Sequence, residues 1–286
     1  FVAREFVRRT DVPTPVVSGQ PAPVVTPLPS GQAVQRLPGF FCSDADLANI
    51  PLPATGLDVI TLGDNAGSGA RRLASIWNRY GGLLQVLATK LGIDAAVAVA
   101  VLAVESGGDA FVNGRMIIRF ENHLFFDEWG KDHQDLFFQH FAFVWQDHTW
   151  RPSANLPLQK FHGNQEAEWQ VLTFAMSLND TAAKLSTSMG APQILGRNHK
   201  RVGYPTVQDM FNAFSSDERA HILGLFDFIR ADADMVQALR SGNYLAFAGG
   251  YNGPGQPQFY ADLIGQSVQG FTILRTAPVM ASFSPR

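Results

Sequence analysis

Cysteine is almost absent from this chain of 286 residues, where Cys42 stands alone. A single thiol forms no internal disulfide, so the composition marks no oxidising compartment and excludes none. Cys42 lies in a Gly/Ser/Asp-rich stretch without a neighbouring base, which argues against a nucleophile. Charge is also scarce: charged residues make up 16% of the chain, the net charge is −3 and the pI is ≈ 6.2. That balance gives no footprint for nucleic acid and no basic patch aimed at anionic membranes or walls. No apolar run reaches the ~20 residues that a membrane span needs. His123, His133, His140, His148 and His162 show no His-x-x-x-His spacing and no cysteine cluster helps them, so neither a metal nor an organic cofactor is expected. The first residue is Phe1, and a leader or an upstream module is not judged from this chain.

Apolar side chains, by contrast, are plentiful at 46%, enough for a sizeable core. The densest run, Asp94 to Val104, delivers Glu105-Ser106-Gly107-Gly108 at its end. Its Ala/Val alternation fits a strand, whereas its length and unbroken apolarity fit a helix buried on all sides. The caps decide for the helix: Asp94 can accept from an orphan N–H of the first turn, and Gly107 or Gly108 can close the last. Glu105 then sits at the carboxyl end of a desolvated helix. Burial and the helix dipole both disfavour its charge, and a carboxyl kept protonated near neutral pH is suited to general acid work.

The chain divides into a Pro-rich arm over 1–40, an irregular lead-in over 41–69, one compact domain over 70–270 and a tail over 271–286. Apolar residues at spacings of three and four predict a helix over 71–90, and Asn113-Gly114 between short apolar runs predicts a β-hairpin. That hairpin leads to Arg119-Phe120-Glu121-Asn122-His123. Aromatics crowd 124–150 and are read chiefly as helix-packing core, 152–163 as a loop, and 166–185 as one helix. Further helices are expected over 207–214, 217–230 (capped by Ser215 or Ser216) and 234–241, with another apolar segment at 260–268. Two Gly-containing turns stand out, at 186–196 and 248–255.

In order, Glu105-Ser106, then Ser188-Met189-Gly190-Ala191-Pro192-Gln193-Ile194, then Gly250-Tyr251-Asn252-Gly253, resemble the three-motif pattern of lysozyme-like proteins such as goose-type lysozymes and soluble lytic transglycosylases. With Trp77-Asn78-Arg79-Tyr80-Gly81-Gly82, Ile118 to His123 and Gln193 to Gly196 added, the chain is most similar to the bacterial and phage N-acetylmuramidases of endolysin type, over about residues 70–268. The resemblance implies a predominantly α-helical α+β lysozyme-like domain with a small β-hairpin beside the cleft. It implies cleavage of the β-1,4 bond between N-acetylmuramic acid and N-acetylglucosamine in peptidoglycan, with Glu105 as the acid.

Glu121 is the best second carboxylate, as base or electrostatic stabiliser, against the alternative of a buried ion pair with Arg115, Arg119 or His123. Asp109 and Asp127 are weaker candidates. The resemblance makes Gln193, Tyr251 and Asn252 cleft residues that bond the sugar, with Ser106, His123 and Ser188 completing the substrate-binding set. Ala191-Pro192 stands where lytic transglycosylases carry Leu-Met, which counts against transglycosylase chemistry. That chemistry is one alternative; a wall-gripping structural module of a phage tail or contractile injection system is the other. The expected partner is the glycan strand at the bacterial cell wall, in the periplasm or outside the cell. Neither nucleic acid nor a membrane span is expected, and the arm is read as a tether to a larger assembly.

Overall fold

The computed structural model of the chain describes residues 33–144, 147–253 and 255–276. Most of the expected Pro-rich arm and the end of the tail lie outside these. The chain packs as two compact units, each assembled from separated stretches. Of the described residues, one holds Asn49–Gly108 and those from Asp232 onward, and the other holds those up to Ala48 together with Asp109–Ala231.

The first unit is helical and is built around the central helix Ala95–Glu105, every residue of which is buried. Asp94 caps it as expected, accepting from the Ala96 N–H at 2.8 Å. Burial of each Val and Leu contributes roughly 1.5–3 kcal/mol, so this helix owes its stability to packing rather than propensity. The long helix Ser68–Leu91 and the closing helix Pro257–Thr276 both pack on it. They also meet each other, with Trp77 and Phe271 rings 5.3 Å apart. The closing helix thus extends into the stretch expected as tail.

The glycines of Trp77-Asn78-Arg79-Tyr80-Gly81-Gly82 explain that motif locally. A Cβ on Gly82 would lie 2.4 Å from the Pro51 carbonyl oxygen, so only glycine lets the lead-in cross the helix there. Asn78 fastens the same strip, donating to the Ile60 carbonyl and accepting from its N–H. The helices Ala233–Arg240 and Tyr244–Tyr251 complete the unit. The second corrects the expected turn over 248–255: Asn243 caps it, and Gly250 leaves room for Met235 beneath.

The second unit carries the β-structure. Phe111–Val112 and Arg115–Met116 form the expected hairpin, with Asn113 and Gly114 both at positive φ, 52° and 76°. Ile118–Phe120, Thr187–Met189 and Ile194–Leu195 make a three-stranded antiparallel sheet. Phe141–Val144, Asp147–Trp150 and Gln159–Lys160 make another. This sheet corrects two expectations, that the aromatic stretch is helix-packing core and that 152–163 is all loop.

Helices flank these sheets. The single helix expected over 166–185 breaks into Gln165–Leu178 and Asp180–Leu185. Asn179 turns extended there and caps the second piece by accepting from the Ala182 N–H. Likewise Asp217, not Ser215 or Ser216, caps Glu218–Arg230. The expected arm ends sooner than residue 40, because the N–H groups of Gln35 and Leu37 are bonded to Asp209 and the Gly203 carbonyl. Among the described residues no single helix is long and apolar enough to cross a membrane.

Candidate functional site

In the first unit the site begins with Glu105, the last residue of the central helix and 3% exposed. Desolvation raises its carboxyl to a pKa of about 7, and a hydrogen bond from Asn252 Nδ2 to Oε1, 2.8 Å long, only partly offsets this. The carboxyl is therefore largely protonated just below neutral pH. Ser106 is also buried, and its Oγ accepts from the Gly108 N–H at 3.1 Å. The turn is held from below, where Tyr80 donates to the Gly108 carbonyl at 3.1 Å. Gly108 has φ 86°, and a Cβ there would strike Ile76 at 2.2 Å. Ser106 and Tyr80 thus fix the turn that follows the acid. Tyr251 ends its helix with its ring 5.4 Å from that of Phe247, one residue before Asn252. Of the expected residues, Glu105 and Asn252 are brought into direct contact.

In the second unit Glu121 follows the strand Ile118–Phe120 and is 8% exposed. Arg119 Nε donates to its Oε1 at 2.7 Å. Oε2 faces three imidazoles: His123 Nδ1 at 3.5 Å, His148 Nε2 at 3.6 Å and His162 Nε2 at 3.9 Å. Burial works to raise the Glu121 pKa, but Arg119 and the imidazoles outweigh it and hold the carboxyl below its usual range. Burial in turn pushes His148 down to about 4 and lowers His123. Both rings are neutral near pH 7, and Arg119 is the standing cation.

The ion pair with Arg119 is one of the expected alternatives for Glu121, whereas sequence reasoning missed His148, His162 and Glu168 as members of this group. Glu168 Oε1 lies 2.8 Å from His162 Nδ1, while its Oε2 accepts from the Phe120 N–H. A search for helical histidine spacing has no access to them, because they come from a strand, a strand end and a helix.

Ser188 and Gln193 lie in the hairpin Thr187–Leu195 and are nearly fully buried. Ser188 sits opposite Arg119 in the sheet. Gln193 has φ 49°, and its Nε2 donates to the Gly190 carbonyl at 2.8 Å, closing its own turn. Gly190 has φ 70°, and a Cβ there would meet the His221 ring at 2.7 Å. His221 in turn accepts from the Ala191 N–H. The turn is thus braced from behind, and these residues offer its shape rather than open side chains. Asp109 is outside the group around Glu121, and Asp127 pairs instead with Lys131 at 2.7 Å.

A helix-rich α+β chain with a buried, protonatable glutamate ending its central helix is a protein of lysozyme-like type. Residues 94–271 match the N-acetylmuramidase family, and the chain belongs to that family. It is a glycoside hydrolase that degrades peptidoglycan. The crystal structure of the endolysin of Burkholderia phage AP3 is similar to it, with 27% identity and a TM-score of 0.54, over 66% of this chain and 70% of the endolysin chain. No curated protein matches the chain.

Proposed function

We propose that the chain hydrolyses the β-1,4 bond between N-acetylmuramic acid and N-acetylglucosamine, with Glu105 as the general acid. The observation that carries this reading is the buried carboxyl with a pKa of about 7, bonded to Asn252. In the reaction Glu105 gives its proton to the bridging oxygen as the bond to the muramic anomeric carbon breaks. Water then adds to that carbon, giving its proton back to the Glu105 carboxylate, and leaves a reducing muramic end. Asn252 orients the acid by holding Oε1, and Tyr251 beside it meets the sugar.

Glu121 enters as an ionised carboxylate that stabilises the oxocarbenium-like transition state. Its bond to Arg119 makes it a weak base, which favours the electrostatic role over proton abstraction. In this reading His123, Ser106, Ser188 and Gln193 bind or shape the subsites. Such a substrate places the enzyme in the periplasm or outside the cell, delivered by a phage or an injection system and tethered through its Pro-rich arm.

The same Arg119 bond favours one rival. An occupied second carboxylate leaves room for a lytic transglycosylase, in which the muramic 6-hydroxyl closes on the anomeric carbon without water. Mass spectrometry of fragments released from purified peptidoglycan, before and after borohydride reduction, separates the two. Reducible muramic ends with the wild type, absent with Glu105→Gln, are expected. Anhydro ends, lighter by one water and resistant to reduction, would replace hydrolysis with transglycosylation. Equal release by Glu105→Gln would remove Glu105 as the acid.

A further inference from the structure

We propose that Glu121, His148 and His162 form a binding site for one divalent cation of the zinc class, in which Glu121 serves as a metal ligand in place of the transition-state role given to it above. Glu121, His148 and His162 each offer a ligand atom within 4.8 Å of the other two, and Glu121 Oε2 faces both His148 Nε2 and His162 Nε2. The separations of 3.6 and 3.9 Å from Oε2 to the two nitrogens are too long for hydrogen bonds. They are close to the roughly 3.3–3.5 Å between ligands that share one tetrahedral ion at about 2.0–2.1 Å. Drawing the two imidazoles in on Oε2 would bring the three atoms onto a cation.

The surroundings have the features that a zinc ligand set requires. Glu168 Oε1 sits 2.8 Å from His162 Nδ1. A proton shared on that side fixes the tautomer that presents Nε2 as a lone pair, the carboxylate–histidine arrangement that orients metal ligands. Arg119 Nε bonds Oε1, while Oε2 faces the imidazoles. His123 Nδ1 is buried, makes no hydrogen bond and points at the same Oε2 from 3.5 Å. A water can fill the fourth position of a three-ligand zinc site.

Two imidazoles and one carboxylate are a borderline set that suits zinc over magnesium or calcium, whose sites are built from oxygen. A bound ion would join the end of strand Ile118–Phe120, strand Asp147–Trp150 and the residue two past Lys160, all within the second unit.

The full chain, stripped with chelator, should bind zinc at one equivalent by calorimetry. Cobalt in its place should give the intense visible absorption of a four-coordinate nitrogen and oxygen site. His148→Ala and His162→Ala should abolish the saturable site, and Glu168→Gln, which keeps the shape, should weaken it about 10- to 100-fold. Far-ultraviolet circular dichroism checks that the variants fold. Glu105→Gln should bind zinc as the wild type does, so the metal site stands or falls separately from the proposed catalytic acid. No saturable binding to the wild type, or equal binding to a folded His148→Ala/His162→Ala double variant, would overturn the proposal.

Discussion

Glu105 is stabilised by its surroundings in the protonated form, and this has two measurable consequences at the level of one residue. If it is the acid, kcat/KM should fall as pH rises through about 7, because only the protonated carboxyl can donate. The stability effect has a definite sign. The folded pKa is raised above the ordinary 4.5, so the folded state holds the proton more tightly and loses stability as pH climbs from about 4.5 through 7. Glu105→Gln keeps an acceptor for Asn252 and carries no charge. It should therefore be more stable than the wild type above pH 7, by up to about 3 kcal/mol, with the gap closing below pH 4.5. Urea unfolding at a series of pH values measures this. A gap independent of pH would mean that the carboxyl titrates normally.

Elements differ in how much of their cause lies in adjacent residues. The central helix and the Asn113-Gly114 hairpin were legible because an apolar run, a cap and a positive-φ pair act locally. The break at Asn179 was not, because an apolar face runs through it and the capping side chain decides only once the chain has turned. Strand Phe141–Val144 was hidden by its aromatics. Phe141 packs on Phe137, Phe125 and Phe174, contacts that a helix or a strand could make equally well. The buried position of Glu105 could be read from its helix, whereas the histidines around Glu121 depend on pairings far apart in sequence.

The lead-in depends on such a distant partner too. Asp227 in helix Glu218–Arg230 is fully buried and accepts from the N–H groups of Phe41 and Cys42 at 2.8 and 3.1 Å. Desolvation raises its pKa to about 6 in spite of these bonds and of Arg230, 2.8 Å away. Asp227→Ala would strand two buried N–H donors, at a cost of about 2–4 kcal/mol. Denaturant unfolding should show that loss, together with faster protease cleavage around residues 33–48. A loss under ~1 kcal/mol would mean that apolar packing of Phe41, and not the carboxylate, seats the segment.

On the scale of the whole molecule, charge sets how the enzyme meets its substrate. Peptidoglycan stems carry carboxylates, and a chain of net charge −3 has no general attraction to them. With the chemistry proposed at Glu105 resting on burial, binding to the wall must come from short-range hydrogen bonds and packing. Salt then acts in an unusual direction for a wall-lytic enzyme. Raising ionic strength from 0.01 to 0.15 M shortens the screening length from about 30 to about 8 Å, which weakens repulsion between like charges and leaves contacts inside the site intact. The initial rate of lysis of purified sacculi near pH 6 should hold steady or rise over that range. A several-fold fall would mean that a local cluster of the chain's Lys and Arg residues steers it to the wall despite the net charge.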